Sequence, residues 1–296
     1  YYSALYQVNN VIAIAEALPL DENTRRVRGT AHYFRAYINY SLVTRWGDVP
    51  LLTQNTLEKP VRSPKALVWE QIEKDLVAAK EFLAASKSYY YVSQDAVTAL
   101  QARVMLSQNK MQEASTLAES LITNGKYALD TFEKIFRKEA NTEIIFAFEN
   151  LTPESSNTIS TLFYNYGHPN KGSYVYAPSK EILELITATD KRRTISFGVF
   201  GGQDCINKYP SGQTGTDPVI ISRIAEMYLI SAEASSLTLG AERLNAVRTA
   251  RGLPEVHPTS SAEMQTLVLE ERRKEFLAEG FAYYDYVRTN TATKYL

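Results

Sequence analysis

A chain of 296 residues is long enough to bury a substantial core, as one large domain or two small ones. Its 32 basic and 33 acidic side chains leave a net charge of −1 with no long run of one sign, which excludes a nucleic-acid protein held by a basic face. The single cysteine, Cys205, forms no internal disulfide, the three histidines (His32, His168, His257) show no metal-ligand spacing, and no apolar run reaches the ~20 residues of a membrane span.

The chain opens at "YYSALYQ" without an initiator methionine, the pattern of a sequence from which an upstream piece has been removed. The first helix runs through Tyr6, Ile12 and Ala13 to a stop at Leu18-Pro19. From Arg25, Val27, Ala31, Phe34, Ile38, Leu42 and Trp46 recur at helical spacing, with Tyr33, Tyr37 and Tyr40 as a second apolar stripe beside them. A helix apolar on more than half its girth is buried between neighbours, so Trp46 is expected in the core. Gly47 suits the stop, Pro50 prevents continuation, and Asp48 is placed to bond nearby backbone N–H groups.

Ser63-Pro64 reads as an N-cap with proline in the first turn, opening a helix whose buried stripe is Val68, Ile72, Leu76, Ala79 and Leu83. After the tyrosine-rich break "SYYYVSQ", a helix from about Asp95 to Gln108 is followed by another carrying Met111, Ala114, Leu117, Ala118 and Leu121, closed by Asn124-Gly125. Short connections and close-spaced alanines describe stacked helical hairpins, of a length that suits tetratricopeptide-like repeats of ~34 residues. Thr131 to Pro218 is mostly loop, with a β-like run "EIIFAFE" at Glu143 to Glu149 and a short helix at about Ser179 to Thr187. Helices return with "VIISRIAEMYLISAEASSL", then Glu242 to Arg251, then Ser261 to Glu279. The expected class is mainly α: helical hairpins with a loop-rich insertion carrying little β structure.

Several stretches together resemble the SusD/RagB family of surface nutrient-binding lipoproteins. They are "RGTAHYFRAYINYSLVTRWGDVPLLT", "EIIFAFE", "ATDKRR", "DPVIISRIAEMYLISAEA", "LNAVRTARGLP" and "ERRKEFLAEGFAYYDYVR", in the family's order from about Tyr6 to Arg288. The resemblance implies a single SusD-like domain over 1–296, with a helical-repeat part at 1–125, a loop-rich ligand-binding subregion at 126–219 and a C-terminal helical part at 220–296. It further implies a non-catalytic protein on the outer-membrane cell surface that binds oligosaccharide and delivers it to a SusC-like TonB-dependent transporter. The membrane anchor is a lipid on an N-terminal cysteine that this chain does not carry. Neither a cofactor nor a metal is implied. A peptide-binding member of the family, and an intracellular helical-repeat scaffold for protein partners, are the alternatives.

Two sets of loop rings are the candidate ligand contacts. Tyr164, Tyr166, Tyr174 and Tyr176, with Asn165 between them, cluster in "LFYNYGHPNKGSYVY", and Tyr89, Tyr90 and Tyr91 mark a helix–helix break. A sugar ring has an apolar C–H face that lies flat on an aromatic ring and hydroxyls that need polar partners; tyrosine offers both. Glu271, Glu275 and Glu279 fall at i, i+4 and i+8 beside Arg272 and Arg273. Two glycosidase carboxylates would face each other across a cleft, so the expected role is instead an ion network with Arg28, Arg223 or Arg248, joined by Asp285 and Arg288. Glu226 and Glu233 are expected to tie their helix through Arg223 or Arg251. His168 and Cys205 lack any accompanying nucleophile or metal pattern and are not expected to be catalytic.

Overall fold

A computed structural model describes residues 1–86, 88–151 and 158–295. The chain divides into two compact units, Tyr1–Leu117 and Ala118–Leu296.

In the first unit α1 (Tyr2–Glu16), α2 (Glu22–Trp46), α3 (Lys65–Phe82) and α4 (Gln94–Ser107) pack in sequence, each on the next, as stacked hairpins require; the boundary between units falls inside α5 (Met111–Ile122). Val68, Ile72, Leu76, Ala79 and Leu83 are all buried, as the 3.6-residue period of α3 demands. The inward face of α1 is Leu5, Asn9, Ile12 and Ala15: Ile12 is buried as expected, whereas Tyr6 and Ala13 are exposed. A polar residue, Asn9, takes a core position on this face because its Nδ2 donates to the Leu52 carbonyl at 3.1 Å.

On α2 the buried residues include Ala31, Tyr33, Ile38, Tyr40 and Leu42, but the stripe fails at both ends: Val27 is exposed and Trp46 is 57% exposed. Trp46 is the last residue of α2; Gly47 at φ +69° then turns the chain away and leaves the indole exposed. Asp48 then accepts from the Lys65 backbone N–H at 2.8 Å, satisfying one of the open donors at the start of α3. Ser63, read as the cap, instead pairs with Val49 in a β-bridge. Inside this unit a buried Arg35 grips Asp75 with Nε and Nη2 at 2.9 and 2.6 Å, with the His32 Nδ1 at 2.8 Å from the same carboxylate. Burial alone would raise Asp75, but the His32 and Arg35 bonds hold it below the usual carboxylate range.

The second unit mixes short pieces with longer helices. After α6 (Phe132–Phe136), β1 (Ile144–Phe148) runs to the loop region, which holds α7 (Lys180–Leu185), α8 (Arg193–Ser196) and the strands β2 (Phe197–Phe200) and β3 (Gln203–Ile206). The first five residues of "VIISRIAEMYLISAEASSL" are not helix but β4 (Val219–Arg223), antiparallel to β1. Val219, Ile220 and Ile221 are β-branched, and pairing with the equally apolar β1 overrides the helical reading. There follow α9 (Ile224–Ala234), α10 (Leu237–Ala250), α11 (Ser261–Glu275), α12 (Ala282–Arg288) and α13 (Ala292–Tyr295). Leu229 and Ala232 from α9, Leu244 and Val247 from α10, and Met264 and Val268 from α11 close one apolar core, with Phe276 just beyond.

Beneath that core lies a lattice of buried charge. Arg192, Arg223 and Arg251 all bond the Glu275 carboxylate, Arg192 at 2.8 Å and Arg251 at 2.7 Å. Arg223 and Arg251 also hold Glu143 at 2.7 and 2.9 Å, Arg223 and Lys208 hold Glu279 at 2.9 and 2.7 Å, and Arg248 reaches Glu271 at 3.0 Å. The expected network is present, with two changes. Arg28 belongs to the first unit, where it donates to the Ala15 carbonyl. Asp285 and Arg288 form their own cluster with Arg272 and Glu233, which also takes Glu233 away from Arg223 and Arg251.

Candidate functional site

The loop cluster of the second unit is built by latching one irregular segment onto one hairpin. β2 and β3 pair from Phe197–Ile206 to Phe200–Gln203, joined by Gly201 and Gly202 at φ +57° and +76°. A two-residue turn with both φ positive matches the strands' own twist and takes glycine without strain. Against this hairpin the Asn165 Nδ2 donates to the Phe200 carbonyl and to Gln203 Oε1 (2.5 and 2.9 Å). His168 stacks on Tyr164, ring centroids 3.5 Å apart, and meets Phe200 edge-on at 4.0 Å.

The segment is also folded on itself. The N–H groups of Ser173, Tyr174 and Tyr176 donate to the carbonyls of Thr161, Tyr164 and Leu162 at 2.8, 3.0 and 3.0 Å. Asn170 Nδ2 donates to the Pro210 carbonyl and Gln213 Nε2 to the Lys171 carbonyl, both at 3.1 Å, which ties it to the turn at Gly212–Thr214. These bonds make a loop rigid without regular secondary structure.

The candidate rings divide sharply in this frame. Tyr164 is 1% exposed; its hydroxyl donates to the Tyr209 carbonyl at 2.7 Å, and burial, with the Asp217 charge adding, pushes its pKa up to about 12. Asn165 is buried as well, its amide nitrogen spent on the hairpin. Neither side chain is exposed; both fasten the segment to its surroundings. Tyr174 is half-buried at φ +49°, its hydroxyl donating to the Asp204 carbonyl at 2.7 Å. Tyr166 and Tyr176 stand outward, 76% and 56% exposed. The Lys171 ammonium lies 4.7 Å from the Tyr166 ring centre, a cation–π contact that fixes the ring, while Phe163 supports Tyr176 at 6.1 Å.

The second set lies in the first unit. Tyr89 and Tyr90 are half-buried and tilted against each other at 4.5 Å, whereas Tyr91 is 61% exposed and borders an apolar hollow with Val8, Val11, Val27 and Phe34. Lys171 against Tyr166, Gln203 against Asn165 and the Gly201-Gly202 turn hold this segment, roles the sequence reading does not assign to them. The two glycines are themselves a hairpin signal between short apolar runs.

His168 is buried and accepts the Asn170 N–H on Nδ1 at 3.0 Å, and burial lowers its pKa. Cys205 is buried in β3, which raises its thiol. Burial alone would raise Glu275, but Arg251, Arg223 and Arg192 hold it well below the usual range. A carboxylate locked in that form cannot deliver a proton, and a fully buried one meets no sugar. The glycosidase reading of Glu275 fails on both counts, and the Glu271 and Glu279 side chains are buried as well.

The family described as "Starch-binding associating with outer membrane" matches residues 1–106, and the SusD family matches residues 205–296. The chain belongs to the SusD/RagB family. Its SusD-like relatives include SusD-like protein P38 of Formosa agariphila, 25% identical over an alignment covering 99% of this chain and 72% of that protein. A SusD superfamily protein from Bacteroides vulgatus superposes with a TM-score of 0.87 at 21% identity, covering 99% of this chain and 74% of the other. Surface glycan-binding protein A from Bacteroides thetaiotaomicron, solved in complex with laminarihexaose, superposes with a TM-score of 0.82 at 20% identity, covering 99% and 75%. These likenesses establish a mainly helical SusD-like fold, in a family described as associated with the outer membrane.

Proposed function

We propose that the chain binds oligosaccharide at the cell surface without altering it and passes it to a SusC-like TonB-dependent transporter, held at the outer membrane by a lipid anchor. The observation that carries the reading is the pair of outward rings, Tyr166 and Tyr176, on a segment made rigid by buried fasteners. Rigid rings lose little freedom when a sugar settles on them, which is where stacking affinity comes from. The family description and the laminarihexaose complex of one structural neighbour support carbohydrate as the ligand class. Calorimetry with laminarihexaose and maltohexaose tests it. Binding of at least one is expected, weakened about tenfold or more, roughly 1.4 kcal/mol, by Tyr166→Ala combined with Tyr176→Ala, with the melting temperature unchanged. Tyr164→Ala is expected to lower the melting temperature instead. Absence of binding, or full affinity in the double variant, refutes the reading.

A further inference from the structure

The exposed indole at the end of α2 has its own surroundings. Trp46, Tyr1, Tyr2, Asp48, Pro50 and Arg62 border a hollow of about 320 Å³ lying wholly in the first unit. That volume is at the lower end of the roughly 300–1,000 Å³ of ligand pockets, suited to one or two sugar rings.

The walls are held in place independently of any guest. The Tyr2 hydroxyl donates to the Pro50 carbonyl at 3.0 Å, the Ser63 N–H donates to the Val49 carbonyl at 3.0 Å, and the Asp48 Oδ1 is fixed by the Lys65 N–H. Tyr1 meets Trp46 edge-on, centroids 5.6 Å apart at 80°, with the Arg45 guanidinium 5.2 Å over the Tyr1 ring.

Several polar groups are left unspent. The Arg62 guanidinium, the Trp46 indole N–H and the second oxygen of Asp48 make no hydrogen bond or ion pair among the described residues. A flat ring bordered by unused donors and an unused acceptor selects its guest. A wholly apolar guest would strip water from Arg62 and Asp48 with nothing in return. An anion would meet Asp48, and a cation would meet Arg62. A neutral sugar ring lays its C–H face on the indole and turns hydroxyls to both.

We infer that this hollow binds one neutral glycosyl residue, at a site that needs neither Tyr166 nor Tyr176. The test uses the full chain and saturation-transfer NMR with glucose, galactose, mannose and xylose at millimolar concentration. At least one sugar is expected to give a saturable signal, retained in Tyr166→Ala/Tyr176→Ala and in Trp46→Tyr. The signal should weaken at least tenfold in Trp46→Leu and severalfold in Arg62→Ala. If Trp46→Leu disturbs folding, Arg62→Ala alone decides, since that side chain is exposed and unpaired. No signal from any of the four sugars, or a signal unmoved by Arg62→Ala, overturns the inference. Loss of hexasaccharide binding in the loop double variant with the monosaccharide signal intact would separate the two sites.

Discussion

At the scale of single residues, the decisive contrast is between Glu275 and Tyr166. Glu275 is fully buried and bonds three arginines, so removing its charge leaves Arg192, Arg223 and Arg251 without their shared partner in a dry interior. Breaking one member of a buried ion set typically costs about 3–5 kcal/mol. Glu275→Gln is therefore expected to lower the melting temperature strongly, while glycan binding by whatever fraction remains folded is unchanged. A thermal scan showing a negligible shift would mean that the lattice contributes little. Tyr166 is the opposite case: exposed, supported by one lysine, and expendable to the fold. Nothing in its neighbours' identities separates it from Tyr164 two positions earlier. In an extended segment alternate residues usually share a face, but here the chain turns between the two, with the His168 N–H donating to the Asn165 carbonyl at 3.2 Å. That turn, invisible to composition, sends one ring in and the other out.

At the scale of elements, the loop segment that carries Tyr166 and Tyr176 depends on His168. Its Nδ1 must be unprotonated to accept the Asn170 N–H, and burial lowers its pKa below the ordinary value of about 6.5. A base whose folded pKa is lowered contributes fully while neutral; between the folded and unfolded values the unfolded chain holds more protons, so stability falls as pH drops through that window. The loop segment is thus expected to loosen from about pH 6.5 downward, read as faster amide exchange at Asn170 and Ser173 between pH 7 and pH 5, with α9 and α10 unaffected. Exchange rates that follow only the intrinsic pH dependence would remove His168 from this role. The helices themselves were legible, because α3 and α4 bury stripes that repeat every turn. The misread strand has a simple cause: β4 opens with the short apolar run Val219–Ile221, and such a run has no period to distinguish strand from helix. Trp46 was misplaced because periodicity marks a face without saying where along the helix the neighbouring elements end.

At the scale of the whole chain, family and fold class were legible from six ordered stretches, and the charge lattice from the placement of glutamates beside arginines. Two compact units and the particular partners of each charge were not, since these depend on long-range geometry. Glu143, Arg192, Arg223 and Arg251 come from four separate places in the sequence, yet all converge on or beside Glu275 near the C-terminal end. A chain ending at Pro258 is therefore expected to leave the second unit open to proteolysis beyond Ala118, with a protected fragment ending near Leu117. Equal protease resistance on both sides of that boundary would contradict this. The same convergence orders events during synthesis. While a ribosome is still making the chain, Glu143 is available to Arg223 and Arg251 early, but the carboxylate that joins all three arginines is not yet translated. Closure of the second unit around the Glu275 carboxylate therefore waits until α11 has left the ribosome.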